Sequence, residues 1–116
     1  PELIESIDKT LFPFAVNGLA QVAAIAAIDA HDEVMARVAE IVAERARVVD
    51  VLADAGWKVP TPQANFVYLD LGARTDEVYL DLEKQGVVTR PFSGEGVRVT
   101  ISTPAENDRF LRALLG

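Results

Sequence analysis

The chain has no cysteine and a single histidine, His31, among its 116 residues. Disulfides, zinc–thiolate sites and thiol nucleophiles are thereby excluded, and so is a cluster of histidine metal ligands. A cysteine-free chain is compatible with the cytoplasm, the setting expected here. Basic residues are few. Eleven Lys and Arg against 18 Asp and Glu leave a formal net charge of −7. A nucleic-acid module normally carries a basic patch, so nucleic acid is not an expected partner. A small anionic ligand stays possible, because a few local cations suffice to bind one. One stretch, residues 11–28, lacks charge altogether. It holds Pro13, Asn17, Gly18 and Gln21 and is rich in alanine, which makes it a poor membrane span. Glu2, Glu5 and Asp8 precede it where a signal peptide would be basic. It reads as a loop followed by a buried helix, and no membrane association is expected.

Other chemical equipment is missing too. There is no Gly-rich phosphate loop, and no Ser or Thr has a recognisable base near it in sequence. Lys9, Lys58 and Lys84 fall at helix ends or loops among charged and polar neighbours. None sits where desolvation would lower its pKa for Schiff-base chemistry.

What is present is ordinary globular material: half the residues are hydrophobic and a quarter are charged. The length fits one compact domain with a real core. Leu3, Ile4, Ile7 and Leu11 share a helical face, so residues 1–11 read as the tail of a helix. The chain opens at Pro1 as if within a continuing sequence, which suggests a fragment. Phe12-Pro13-Phe14 is the expected helix break. Asn17 is the expected N-cap of an Ala-rich helix over 18–29, whose small residues suggest close packing between neighbours. Asp32 is the expected cap of a long amphipathic helix to about Ala55, with Val34, Val38, Ile41, Val42, Val48, Val49 and Leu52 as its stripe. Gly56 ends it.

Beyond Gly56 the period changes. Short strands are expected at Trp57–Val59, Asn65–Leu71, Gly86–Arg90 and Val97–Ser102. A helix over 75–85, with Val78 and Leu82 inward, separates the second strand from the third and stops at Gly86. Pro91 to Gly96 has turn composition. Thr103-Pro104-Ala105-Glu106 is a capping box with proline at the first helical position, and Phe110, Leu111, Leu114 and Leu115 supply that helix with an apolar face. The fold class expected is α/β: a two-layer sandwich with a small, mostly antiparallel sheet of about four strands and helices packed on it.

Arg98 is the leading candidate for chemistry. In Val97-Arg98-Val99-Thr100-Ile101-Ser102 the apolar residues face one side, and Arg98, Thr100 and Ser102 face the other. A mid-strand guanidinium offers a planar fork to a carboxylate or phosphate. An arginine on a solvated sheet face would give the same pattern, so spacing leaves both readings open. Arg90 stands at the far end of the same hairpin. The two cations would form an anion site if their strands pair; otherwise they are unrelated surface residues. Asn65 reads as a cap for the Pro60–Gln63 loop, His31 as a capping or surface residue, and Trp57 and the phenylalanines as core.

Several separated runs, in order, resemble the fold type I aminotransferases. These are Pro1-Glu2-Leu3-Ile4; Pro13-Phe14-Ala15-Val16-Asn17 with Ala20-Gln21; Gln63-Ala64-Asn65-Phe66-Val67; Val87-Val88-Thr89-Arg90-Pro91-Phe92; and Gly96-Val97-Arg98-Val99-Thr100-Ile101-Ser102-Thr103 followed by Glu106-Asn107-Asp108 and Phe110-Leu111. Together they span essentially the whole chain. The branch resembled is the histidinol-phosphate and aromatic aminotransferases, and the spelling around Arg90 and Arg98 is more similar to actinobacterial phenylalanine enzymes.

The resemblance implies that residues 1–116 are a C-terminal small domain, with 1–30 connecting it to a large domain outside the chain. It implies that Arg98 holds the substrate α-carboxylate and that Arg90 lies near the distal end. It also implies pyridoxal 5'-phosphate as cofactor, an amino acid and a 2-oxo acid as substrates, and a homodimeric parent enzyme. The Schiff-base lysine and the other cofactor residues would belong to the large domain, so this chain alone is expected to hold no cofactor, contain no catalytic residue and be inactive. Two other readings compete: a stand-alone carboxylate-binding module, and a dimerisation domain without a ligand.

Overall fold

The computed structural model describes residues 2–11 and 15–116. Pro1 and the expected break at Phe12-Pro13-Phe14 lie outside the described residues. The chain divides into two compact units, Pro1–Met35 and Ala36–Gly116.

The first unit holds α1 (Glu2–Asp8), α2 (Gly18–Asp29) and the start of α3 (His31–Asp54). Asn17 caps α2 as its side-chain oxygen accepts from the Ala20 amide at 2.9 Å. Asp32 does not cap α3. The helix already starts at His31, and the Ala30 carbonyl accepts its opening bond from Val34 N at 3.0 Å. Asp32 and Glu33 instead sit in the first turn, where negative charge suits the helix dipole. The buried helix expected over 18–29 is not buried: every residue of α2 is exposed, Leu19 at 84%. No described residue of this unit is buried, since so short a length of chain cannot enclose a core.

The second unit contains the rest of α3, then β1 (Phe66–Asp70), a 3-10 turn (Gly72–Arg74), α4 (Thr75–Lys84), β2 (Arg90–Phe92), β3 (Gly96–Thr100) and α5 (Pro104–Leu115). The sheet is antiparallel throughout, in the order β1-β3-β2. Val67 and Leu69 of β1 and Val97 and Val99 of β3 alternate onto one face and are buried. Val48 and Leu52 of α3, Leu82 of α4, and Phe110 and Leu111 of α5 complete that core. Truncating any one of the buried leucines to alanine costs about 2–5 kcal/mol. The α/β class and the helices packed on a small antiparallel sheet agree with the sequence, but the described sheet has three strands rather than four.

Two glycines explain the missing and shortened strands. At the end of α3, Gly56 takes φ +83°, its amide donates to Ala53 O at 2.9 Å, and Trp57 N donates to Leu52 O at 2.9 Å. At the end of α4, Gly86 takes φ +75°, donates to Glu83 O at 2.8 Å, and Val87 N donates to Leu82 O at 2.9 Å. Both are Schellman closures, which only a left-handed residue makes without strain. The amides of Trp57 and Val87 are thereby committed to helix ends. Trp57–Val59 forms no strand, and the strand expected at Gly86–Arg90 begins only at Arg90. It then runs through Pro91, which an edge strand tolerates, and turns at Ser93–Glu95. Gly94 supplies φ +77° at that turn's third residue.

Candidate functional site

The core-facing alternation of β3 turns Arg98 onto the opposite face of the sheet, where it is half-buried. The register makes Arg98 the Cα partner of Tyr68 on one side and of Arg90 on the other. The two candidate arginines are thus brought directly opposite each other. Like charges in this arrangement repel, with Cβ atoms typically about 5 Å apart. Neither guanidinium forms an ion pair with a carboxylate among the described residues. The Nε of Arg98 is shielded from solvent and has no hydrogen-bond partner among them.

Aromatic rings hold both cations. The Arg98 guanidinium carbon lies 5.3 Å from the Phe66 ring centroid, and that of Arg90 lies 5.4 Å from the Phe92 ring. Such contacts contribute about 0.5–1 kcal/mol at exposed sites. A guanidinium beside a ring keeps its planar fork of donors, the group that suits a planar anion. Tyr68 completes the strip, its ring 6.2 Å from that of Phe92 and tilted by 57°. Burial, then the charges of Glu95 and Asp70, push the Tyr68 phenol above its ordinary pKa. A hollow of about 240 Å³ adjoins Phe66 and Tyr68, walled by Pro60, Pro62 and Gln63. Phe66 and Phe92 therefore do not belong to the core in which the sequence reading set them. The signal available was parity: Phe66 and Tyr68 alternate with the buried Val67 and Leu69, as Arg98 does with Val97 and Val99.

The far end of β3 is fixed from behind. Asn107, 3% exposed, accepts from Ser102 N at 3.0 Å and donates through Nδ2 to Ser102 O and to Glu44 Oε2, each at 2.9 Å. Arg47 grips the same Glu44 carboxylate through Nε and Nη2 at 2.9 and 2.8 Å, and reaches Asp108 at 2.9 Å. The expected capping box forms, with Thr103 Oγ1 accepting from Glu106 N and the Glu106 carboxylate accepting from Thr103 N. Ser102 Oγ also donates to Glu106. Hydrogen bonds from Arg47 and then Asn107 hold the Glu44 carboxyl below its ordinary pKa. Those from Ser102 and Thr103 do the same for Glu106.

The other candidates take simpler places. The Asn65 side chain does not cap the Pro60–Gln63 loop; the backbone carbonyl of Asn65 accepts from Ile101 N at 2.9 Å, continuing the ladder. The end of that loop is tied instead by Arg45 Nη1, which donates to Ala64 O at 2.7 Å. His31 is exposed at the first position of α3. Lys9, Lys58 and Lys84 are all exposed, and Lys84 pairs with Asp81 at 3.0 Å. A Schiff-base cofactor needs a lysine whose ammonium is destabilised by its surroundings, so these residues do not fit pyridoxal phosphate.

Comparison with known proteins places the chain in a family. Residues 1–114 match the family model "Aminotransferase class I and II". The chain is 52% identical over 112 residues to the aromatic amino acid aminotransferase of Mycobacterium avium (strain 104), covering 97% of this chain and 32% of that protein. It is 48% identical to the aromatic amino acid aminotransferase of Mycobacterium tuberculosis (strain ATCC 25618 / H37Rv), over the same shares. The crystal structure of the histidinol-phosphate aminotransferase from Clostridium acetobutylicum superposes with a TM-score of 0.81 at 28% identity, over 99% of this chain and 37% of that one. The chain spans about a third of the length of the curated relatives it matches. With the family model matched over nearly its whole length, the chain belongs to the class I and II aminotransferases.

Proposed function

We propose that this chain is the substrate-clamping C-terminal part of a pyridoxal-phosphate-dependent aminotransferase that acts on aromatic amino acids with a 2-oxo acid as acceptor. The observation that carries the reading is the opposed, carboxylate-free pair Arg90 and Arg98, with the orphaned Nε of Arg98. Arg98 holds the α-carboxylate through its planar fork, and Arg90 lies toward the distal end of the substrate. A carboxylate bound at Arg98 offsets the repulsion that Arg90 exerts across the strand pair, so binding and the strand register reinforce each other. A clamped carboxylate fixes the orientation of the amino-acid Cα, and orientation of this kind is a large part of what an enzyme contributes to rate.

The cofactor is held by residues outside this chain, since its own lysines are exposed. Residues 1–30 connect to the large domain that supplies those residues. The parent enzyme is a cytoplasmic homodimer. The substrate assignment rests on the two aromatic aminotransferases, at 52% and 48% identity. A second reading, histidinol-phosphate transamination, is favoured by the likeness to the clostridial enzyme, and an arginine near the distal end would suit a phosphate.

A substrate panel on the full-length protein tests the reading. The expected result is a kcat/KM for phenylalanine well above that for histidinol phosphate. The reverse order would establish the second reading, and no transamination of either would refute both.

A further inference from the structure

We infer that Tyr68, resting on the gap left by Gly96, is a specificity-determining residue that selects aromatic over aliphatic side chains in this site. The inference rests on the aminotransferase reading above. Tyr68 is the cross-strand partner of Arg98, so its ring starts from the same face and level as the carboxylate fork. The ring then extends over Gly96. A Cβ at that position would lie 2.7 Å from the Tyr68 hydroxyl oxygen and 2.8 Å from Cζ, and would also strike the Leu69 carbonyl. Glycine is needed at position 96 for this close approach. Its φ is unremarkable, so backbone freedom is not the reason.

The seat has a consequence for recognition. A tyrosine standing up from the sheet would fill the space above the arginines. With its tip over Gly96 and its ring 6.2 Å from that of Phe92, it instead leaves a half-buried aromatic surface on the sheet face that carries Arg98. Its hydroxyl makes no hydrogen bond among the described residues, so hydrogen bonding does not account for the pose. The hollow at Phe66 and Tyr68 gives a side chain room next to that surface. A ligand whose carboxylate is taken by Arg98 and whose side chain is a ring would meet a ring there.

The test measures kcat/KM in the full-length protein for phenylalanine and for an unbranched aliphatic amino acid of similar length, with thermal melting as the check on folding. In Tyr68→Leu the phenylalanine-to-aliphatic ratio should fall about five- to tenfold, the scale of one ring–ring contact. Tyr68→Phe should retain the ratio, because the ring rather than the hydroxyl is what selects. A folded, active Tyr68→Leu enzyme with an unchanged ratio would overturn this inference alone. A wild-type protein without transaminase activity would overturn it together with the reading it rests on.

Discussion

Asn107 joins Glu44 across 63 residues of sequence, its Nδ2 donating to the carboxylate at 2.9 Å while its other bonds hold both backbone groups of Ser102. One buried amide thus ties the end of the Arg98 strand to α3. Asn107→Ala would remove three hydrogen bonds made by one buried side chain. The expected loss is about 1–3 kcal/mol, the scale of two or three such bonds. A urea titration should show a lower midpoint with the slope unchanged. Asn107→Asp should also destabilise, because it sets a second carboxylate against Glu44.

Acid should weaken the same junction. Glu44 and Glu106 are both held below the ordinary carboxylate value of 4.5. The unfolded chain therefore binds protons more readily than the folded one, and stability rises with pH through this range. The contribution is complete above about 4.5 and is lost as pH falls through the depressed folded values. Glu44→Gln should flatten the acid limb of a stability–pH curve. An identical limb in that variant would contradict the assignment.

Glycine positions separate two kinds of effect. Gly86 has φ +75°, and a Cβ there would meet the guanidinium of Arg109, which donates to Gln85 O at 2.9 Å. Gly86→Ala should destabilise by about 1–2 kcal/mol through the left-handed backbone alone. Gly18 opens α2 with nothing within 4 Å of its would-be Cβ. Gly18→Ala should be neutral or stabilising, by up to about 1 kcal/mol. Melting temperatures of the two variants should shift in opposite directions or, at minimum, differ clearly.

The isolated 116-residue chain should not form a specific cofactor adduct. Its three lysines are exposed, so pyridoxal phosphate followed by borohydride should label them weakly and without saturation. Mass spectrometry of the reduced protein checks this. A stoichiometric adduct at one lysine would refute the division of labour proposed here.

Much of this architecture was legible because its signals are local. Asn17, the Thr103–Glu106 capping box, and the stops at Gly56 and Gly86 act within one helical turn, and each formed where the sequence put it. Strand pairing was harder to read. Trp57-Lys58-Val59 has strand composition, yet the Trp57 amide closes α3; Val87 is spent in the same way on α4. A composition rule does not see an amide already committed to a helix end. The uncharged, Ala-rich composition of α2 suggested burial, but composition says nothing about what covers a face. The arginines were visible as candidates from alternation in β3. Their direct opposition needed the register of β2, and that depended on a turn three residues long. Phe66 and Phe92 were assigned to the core by hydrophobicity, whereas parity along their strands puts them beside the cations.

Arg98 carries the central claim, and one comparison tests it most directly. Steady-state kinetics of Arg98→Ala and Arg98→Lys in the full-length enzyme, with phenylalanine as donor, should show kcat/KM reduced about 10- to 100-fold or more in the alanine variant, the scale of a charged hydrogen-bonded pair. Lysine should recover only part of the loss, since it keeps the charge but not the planar fork. Unchanged kinetics in Arg98→Ala would contradict the carboxylate clamp.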